Sequence, residues 1–332
     1  MKELKADIKN KTFKRVYLLY GKEKYLTRYY ENLIKETLLA PGTDIMNLDI
    51  FDGKTIPAER LTDACGTAPF LNDYRMVLAR DTKLFVSGRK ADADHITNFL
   101  TDIPESTVLV FVEDEVDKRG RLYKKLGETG RALEFKTPTD KELFEWVKNK
   151  VKKQGAVIAN DAVHVLLRTS AHNMEALSGE IEKLTGYAGT CGEIKVSDVE
   201  SICTPALETQ IFDLVGAVCE KKPERALDLF NNMILMKEQP LVILTMITRQ
   251  FRLVLQSKAL AEKGRSNNEI ADFLSVRGFV VAECLRQGNG FKTEELIAAL
   301  RDCLEADMNI KSGRMSDKLA IEALIIKYAL GF

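Results

Sequence analysis

The chain has 332 residues, 45% of them hydrophobic and 30% charged, and its 49 lysines and arginines are matched by 49 aspartates and glutamates for a formal net charge of zero. Such a length is expected to divide into about two or three domains, and the balanced charge excludes the global field of a dedicated nucleic-acid binder, so any DNA contact has to come from a local basic patch. No apolar run approaches the roughly 20 residues of a bilayer-spanning helix, and the opening MKELKADIKNKTFKR lacks a signal-peptide core, so no membrane partner and a cytoplasmic location are expected.

The first stretch reads as alternating strands and helices. Val16-Tyr17-Leu18-Leu19-Tyr20 is a short apolar run ending at Gly21, and Leu26, Tyr29, Leu33, Ile34 and Leu38 then fall on one helical face. The alternation continues with a strand near Leu48 to Phe51, a helix with Pro57 in its first turn, a strand from Met76 to Ala79 and a helix around Ile96 to Leu100. A strand from Val108 to Val112, a helix from Arg121 to Leu126 and a strand from Leu133 to Phe135 complete it. This pattern predicts a mostly parallel sheet covered on both faces, over residues 1–138.

Nucleotide binding is tested by one segment of that domain, Gly21-Lys22-Glu23-Lys24-Tyr25-Leu26-Thr27. A phosphate-cradling loop needs a second glycine and a lysine followed by a hydroxyl residue. Both are missing, so no cofactor is expected, and the acids Asp114 and Glu115 after the strand Val110-Phe111-Val112 have no magnesium nucleotide to serve.

Between the second helix and third strand lies Gly66-Thr67-Ala68-Pro69-Phe70-Leu71-Asn72-Asp73-Tyr74-Arg75. Pro69 stops a helix and Asn72-Asp73 is turn chemistry, which places Phe70 and Leu71 at a loop apex. Two readings remain open for them: side chains folded back into the core, or an exposed apolar plug for a partner's pocket.

Past Pro138 the expected elements are all helical. Thr139 and Glu142 form a capping box, Asn160 or Asp161 opens a second helix, Met174 to Leu184 is a third, and Ser197 to Glu200 caps a fourth, giving a small bundle over residues 139–208. Residues 209–332 read as helices throughout: one from Pro223, one from Leu241 to Leu260, one capped by Ser266 and Glu269, one capped by Thr293, and a last from Leu319 to Leu330. His164 and His172 read as structural. Six scattered cysteines without a C-x-x-C pair, and only three histidines, argue for free thiols and against a zinc site.

Taken in order, these segments resemble the delta subunits of the bacterial DNA polymerase III clamp loader. The resemblance is carried by Tyr17 to Leu26, Thr67 to Arg75, Asp117-Lys118-Arg119 with Leu122-Tyr123-Lys124, and Leu177 with Glu180 to Leu184. Arg249-Gln250-Phe251-Arg252, Ala306 to Gly313 and Leu319-Ala320-Ile321-Glu322 carry it through the last stretch. It implies an AAA+-like α/β domain with a degenerate P-loop, a helical lid and a C-terminal helical collar. It further implies a subunit without a catalytic site of its own, which binds the beta sliding clamp and opens the ring for loading onto primed DNA.

The implied clamp contacts are Thr67, Pro69, Phe70 and Leu71; Pro69 stands where some members carry a larger apolar residue, which shifts more of the contact onto Leu71. The implied partners are the clamp, the gamma/tau and delta prime subunits, and primer-template DNA. Candidate DNA contacts are Lys118, Arg119, Arg121, Lys124 and Lys125, with Lys311 and Arg314 near the end of the chain. The competing reading is an active ATPase of the same fold using Lys22 or Lys24 with Asp114 and Glu115. An unrelated α/β enzyme ranks last, because no Ser-His-Asp, Cys-His or paired-carboxylate arrangement can be assembled from three histidines in these contexts.

Overall fold

The computed structural model describes residues 2–331, which fall into two compact units, Met1–Glu142 and Leu143–Phe332. In the first unit the order is α1 (Lys2–Asn10), β1 (Val16–Tyr20), α2 (Lys24–Leu38), α3 (Asp44–Asn47), β2 (Leu48–Asp52) and α4 (Ala58–Gly66). It continues with β3 (Arg75–Arg80), α5 (Lys90–Phe99), β4 (Thr107–Glu113), α6 (Arg121–Thr129) and β5 (Arg131–Glu134). The strands form one parallel sheet in the order β2-β3-β4-β1-β5.

β1 is central, with Leu18 opposite Phe111 on one side and Ala132 on the other. All five of its side chains are buried, as a strand covered on both faces requires. The twofold alternation decides where each goes. Val16, Leu18 and Tyr20 pack with Leu61 and Cys65 of α4, Ile96 of α5 and Leu122 and Leu126 of α6. Tyr17 and Leu19 pack with Leu4 of α1 and with Tyr30, Ile34 and Leu38 of α2. Each such side chain contributes roughly 1.5–3 kcal/mol on burial, so the two apolar layers fix the sheet and hence the loops at its ends.

The second unit begins within α7 (Asp140–Lys153) and continues through β6 (Val157–Ile158), α8 (Asn160–Thr169), α9 (Met174–Ala188), β7 (Glu193–Ile194) and α10 (Val196–Ile202). Then follow α11 (Leu207–Cys219), α12 (Pro223–Leu235), α13 (Pro240–Glu262), α14 (Asn267–Leu274), α15 (Gly278–Gly288), α16 (Thr293–Lys311) and α17 (Asp317–Leu330). The core of α11–α17 gathers Phe230, Phe251, Val254, Cys303, Ile321 and Ile325. A buried amide pair crosses it: Gln250 Nε2 donates to Gln287 Oε1 at 2.8 Å, and Gln287 Nε2 donates to the Phe212 carbonyl at 2.9 Å.

Several local expectations are corrected. The stretch read as wholly helical contains the parallel pair β6–β7, in which Ile158 lies opposite Ile194; two-residue strands are too short to show a period. α10 starts earlier than expected, with Asp198 Oδ2 accepting from the Lys195 backbone N–H at 2.7 Å, and Thr293 is the first residue of α16 rather than its cap, since Glu295 reaches back to the Lys292 N–H at 2.7 Å. Pro57 precedes α4 instead of lying in its first turn. The short helices α1 and α3 have no counterpart in the sequence reading. The capping boxes Thr139/Glu142 and Ser266/Glu269 form as expected.

Candidate functional site

The loop from Thr67 to Tyr74 joins α4 to β3 and leaves its two large apolar side chains in solvent: Phe70 is 54% exposed and Leu71 83%. Neither side chain is folded back into the core. Pro69 is half-buried and Thr67 is exposed. Leu71 sits in the left-handed region at φ +51, which a non-glycine residue adopts only when its surroundings impose it.

Those surroundings are two asparagines. The Asn47 side chain is fully buried; its Oδ1 accepts from the Phe70 N–H at 2.7 Å, and its Nδ2 donates to the Phe70 carbonyl at 2.8 Å and to the Thr43 carbonyl at 3.1 Å. Asn72 Nδ2 donates to the Tyr74 carbonyl at 2.5 Å and the Leu38 carbonyl at 3.1 Å, while its Oδ1 accepts from the Ala40 N–H at 3.3 Å. Below them, buried Arg75 pairs with Asp49 and donates to the Met46 carbonyl at 2.9 Å. The backbone on both sides of the apex is therefore hydrogen-bonded to the domain, and the exposed tip is held in one shape.

α3 belongs to this scaffold and presents two further exposed apolar residues, Ile45 at 89% and Met46 at 57%. Sequence reasoning missed it because four residues carry no helical period. The available signal was the parallel with the loop itself: turn residues Pro41-Gly42-Thr43 are followed closely by two adjacent large apolar side chains.

At the carboxyl ends of β1 and β4, where doubly wound sheets take their ligands, the crevice is filled by the chain. Glu23 caps α2, its Oε1 accepting from the Tyr25 N–H at 3.3 Å, so a carboxylate occupies the helix N-terminus that would attract a phosphate. Gly21, at φ +128, runs so close to Phe135 that a Cβ would collide with its carbonyl. Lys24 pairs with Asp114. Glu113 is 1% exposed, and its carboxylate accepts from Thr82 Oγ1, from the Thr82 N–H at 2.9 Å and from the Lys83 N–H at 3.3 Å. Burial pushes its pKa above the ordinary value, with these hydrogen bonds opposing the shift.

The basic candidates are only partly assembled. Arg119, Arg121, Lys124 and Lys125 line one open groove of about 570 Å³ beside Thr97 and Glu128. Lys118 instead lies over the Tyr20 ring, 5.7 Å from its centroid, and pairs with Glu134 at 2.8 Å. Acids neutralise much of the groove: Arg119 pairs with Asp117 at 3.0 Å, Arg121 with Asp94 at 3.7 Å and Lys125 with Glu128 at 3.2 Å. Lys311 pairs with Asp307 at 2.7 Å on α16, and Arg314 is exposed just beyond that helix.

Two family models match in order. That for DNA polymerase III, delta subunit, covers residues 17–136, and that for the DNA polymerase III delta subunit, C-terminal domain, covers residues 208–328. The chain belongs to the DNA polymerase III delta subunit family. Similarity to individual delta subunits runs nearly end to end: 29% identity over 321 residues, 94% of this chain and 92% of the relative, to the DNA polymerase III subunit delta of Bacillus subtilis. A probable DNA polymerase III subunit delta of Aquifex aeolicus is 22% identical over 269 residues, 79% of this chain and 76% of that one. Among solved structures, the Bacillus subtilis DNA clamp loader delta protein superposes with a TM-score of 0.80 at 26% identity, covering 99% of both chains. The matched delta stretch 17–136 contains the Thr67–Tyr74 loop, the Asn47 scaffold and the basic groove. No single helix among the described residues is long and apolar enough to cross a membrane.

Proposed function

We propose that this delta-family chain acts in the DNA polymerase III clamp loader by binding the beta sliding clamp through Phe70 and Leu71, with Thr67 and Pro69 shaping the loop, and by opening the ring for loading onto primed DNA. The observation that carries this reading is the apex itself: two large apolar side chains exposed at the tip of a loop whose backbone is fastened from both sides. Such a tip loses little conformational freedom on docking, which is how a small contact reaches useful affinity. Ring opening then needs only differential binding: a subunit that fits the opened clamp interface better than the closed one shifts the population toward open.

In this reading residues 139–208 serve as a lid and 209–332 as a collar that packs with the gamma/tau and delta prime subunits. Leu304, Met308, Leu319 and Leu330, all more than half exposed, are the collar's offered apolar surface. The α6 groove and the Lys311–Arg314 segment supply secondary contacts to primer-template phosphates. ATP hydrolysis is assigned to other subunits, since Glu23 takes the phosphate position here.

The deciding experiment is surface plasmon resonance of the chain on immobilised beta sliding clamp, comparing wild type with Phe70→Ala, Leu71→Ala. Loss of a pair of interfacial anchors should weaken binding by on the order of thirtyfold or more, while the melting temperature holds because both residues are exposed. Clamp affinity that survives the double change at full strength rules the loop out as the contact.

A further inference from the structure

Two side chains are a small docking surface. Specific protein interfaces bury about 1,200–2,000 Å² in all, so the clamp contact proposed above needs neighbours, and the structure places them on one short helix. α3 ends in Asn47, whose buried amide spends its acceptor and one donor bond on the backbone of Phe70. The helix also carries Ile45 and Met46, 89% and 57% exposed, and its Met46 carbonyl is fixed by Arg75 at 2.9 Å. Apolar side chains scattered singly on a surface need no explanation. Here two pairs of them stand on segments that a buried amide ties to each other.

We propose that α3 is the second arm of the clamp contact: Asn47 is a positioning residue that holds Phe70 and Leu71 in their docking shape, and Ile45 and Met46 extend the apolar surface that the clamp covers. The inference rests on the clamp reading of Phe70 and Leu71. Its physical content is preorganisation. The pair of hydrogen bonds from Asn47 fixes both the N–H and the carbonyl of Phe70, and Leu71 follows directly in the left-handed conformation at φ +51. Without that clamp the apex relaxes to extended conformers and has to be reordered at each binding event. The occupant is the sliding clamp because the arm is joined through Asn47 to the backbone of Phe70, in the loop assigned to it.

The test uses the full chain and purified beta sliding clamp, with affinity, association rate and melting temperature measured for each variant. Ile45→Ser with Met46→Ser removes exposed side chains, so stability should stay level while affinity falls about tenfold. Asn47→Ala should weaken the wild-type complex about tenfold, toward the affinity of an isolated peptide of residues 66–75, yet change nothing further in a Phe70→Ala, Leu71→Ala background. That non-additivity is what a merely structural role would not produce. If Asn47→Ala does not fold, the serine pair, at exposed positions, carries the test by itself. Wild-type affinity in the serine pair and in the Asn47 variant overturns the second arm while leaving the Phe70–Leu71 contact intact. Failure of the wild-type chain to bind the clamp at all overturns both.

Discussion

Leu71 offers a perturbation in which stability and function are expected to move in opposite directions. A non-glycine residue in the left-handed region costs roughly 1–2 kcal/mol, and Leu71 stands there at φ +51 with 83% of its surface in water. Leu71→Gly removes that strain, offset by about 0.4–1 kcal/mol of extra freedom in the unfolded chain, so net stability should stay level or rise by up to about 1.6 kcal/mol. For a chain of this size that is a rise in Tm of at most about 2–4 °C. Leu71→Ala keeps the strain and deletes only exposed atoms, so it should stay within about 0.5 kcal/mol of wild type. Both should lose clamp affinity by on the order of 2 kcal/mol, about thirtyfold, with the glycine variant the weaker because its loop is also looser. Urea and thermal unfolding followed by circular dichroism give the first quantity, and surface plasmon resonance on immobilised clamp gives the second. A stability loss of 2–5 kcal/mol in the alanine variant is the signature of a core leucine and would refute the reasoning, as would a glycine variant that binds clamp at full strength.

The remaining expectations address other parts of the molecule. Titration calorimetry with magnesium ATP should give no micromolar binding to the isolated chain, because Glu23 caps α2 where phosphate would sit; micromolar affinity that disappears in Lys22→Ala or Lys24→Ala would contradict this. Glu113 has its pKa raised by burial, so between the ordinary value of 4.5 and the higher folded value the native state holds a proton that the unfolded chain has released. Stability should therefore fall as pH rises through that window, and Glu113→Gln should flatten the slope; an identical pH profile for the two proteins counts against the assignment. Leu304→Glu with Leu319→Glu should leave Tm unchanged and abolish assembly with the other loader subunits in size-exclusion chromatography, whereas intact assembly would make these residues ordinary surface. Arg119→Gln with Lys124→Gln should weaken DNA-dependent clamp loading more at low salt than at high salt, and loading that is the same at every ionic strength would remove the α6 groove from the DNA path.

Features governed by neighbouring residues were legible in the sequence. The apolar run Val16–Tyr20 and the helical face after it, the capping boxes at Thr139 and Ser266, and the missing second glycine after Gly21 all follow from chemistry within a few positions, where local sterics and hydrogen bonding decide. The motif order from Tyr17 to Glu322 was likewise enough to place the chain in its family. Only the tertiary structure decided whether Phe70 and Leu71 face the core or water, since adjacent apolar residues in a loop satisfy either packing. The partner that fixes them, Asn47, lies 23 residues away, and an asparagine in a four-residue helix announces nothing until the loop closes onto it. The crevice was settled in the same way: the missing glycine argued against a phosphate, but that Glu23 caps the vacant helix end, and that Thr82 and Lys83 tie down Glu113 from 30 or more residues away, depended on the β2-β3-β4-β1-β5 order bringing separate strand ends together. Sequence fixes what each segment can form; burial and long-range hydrogen bonding select which of its side chains remain available to a partner.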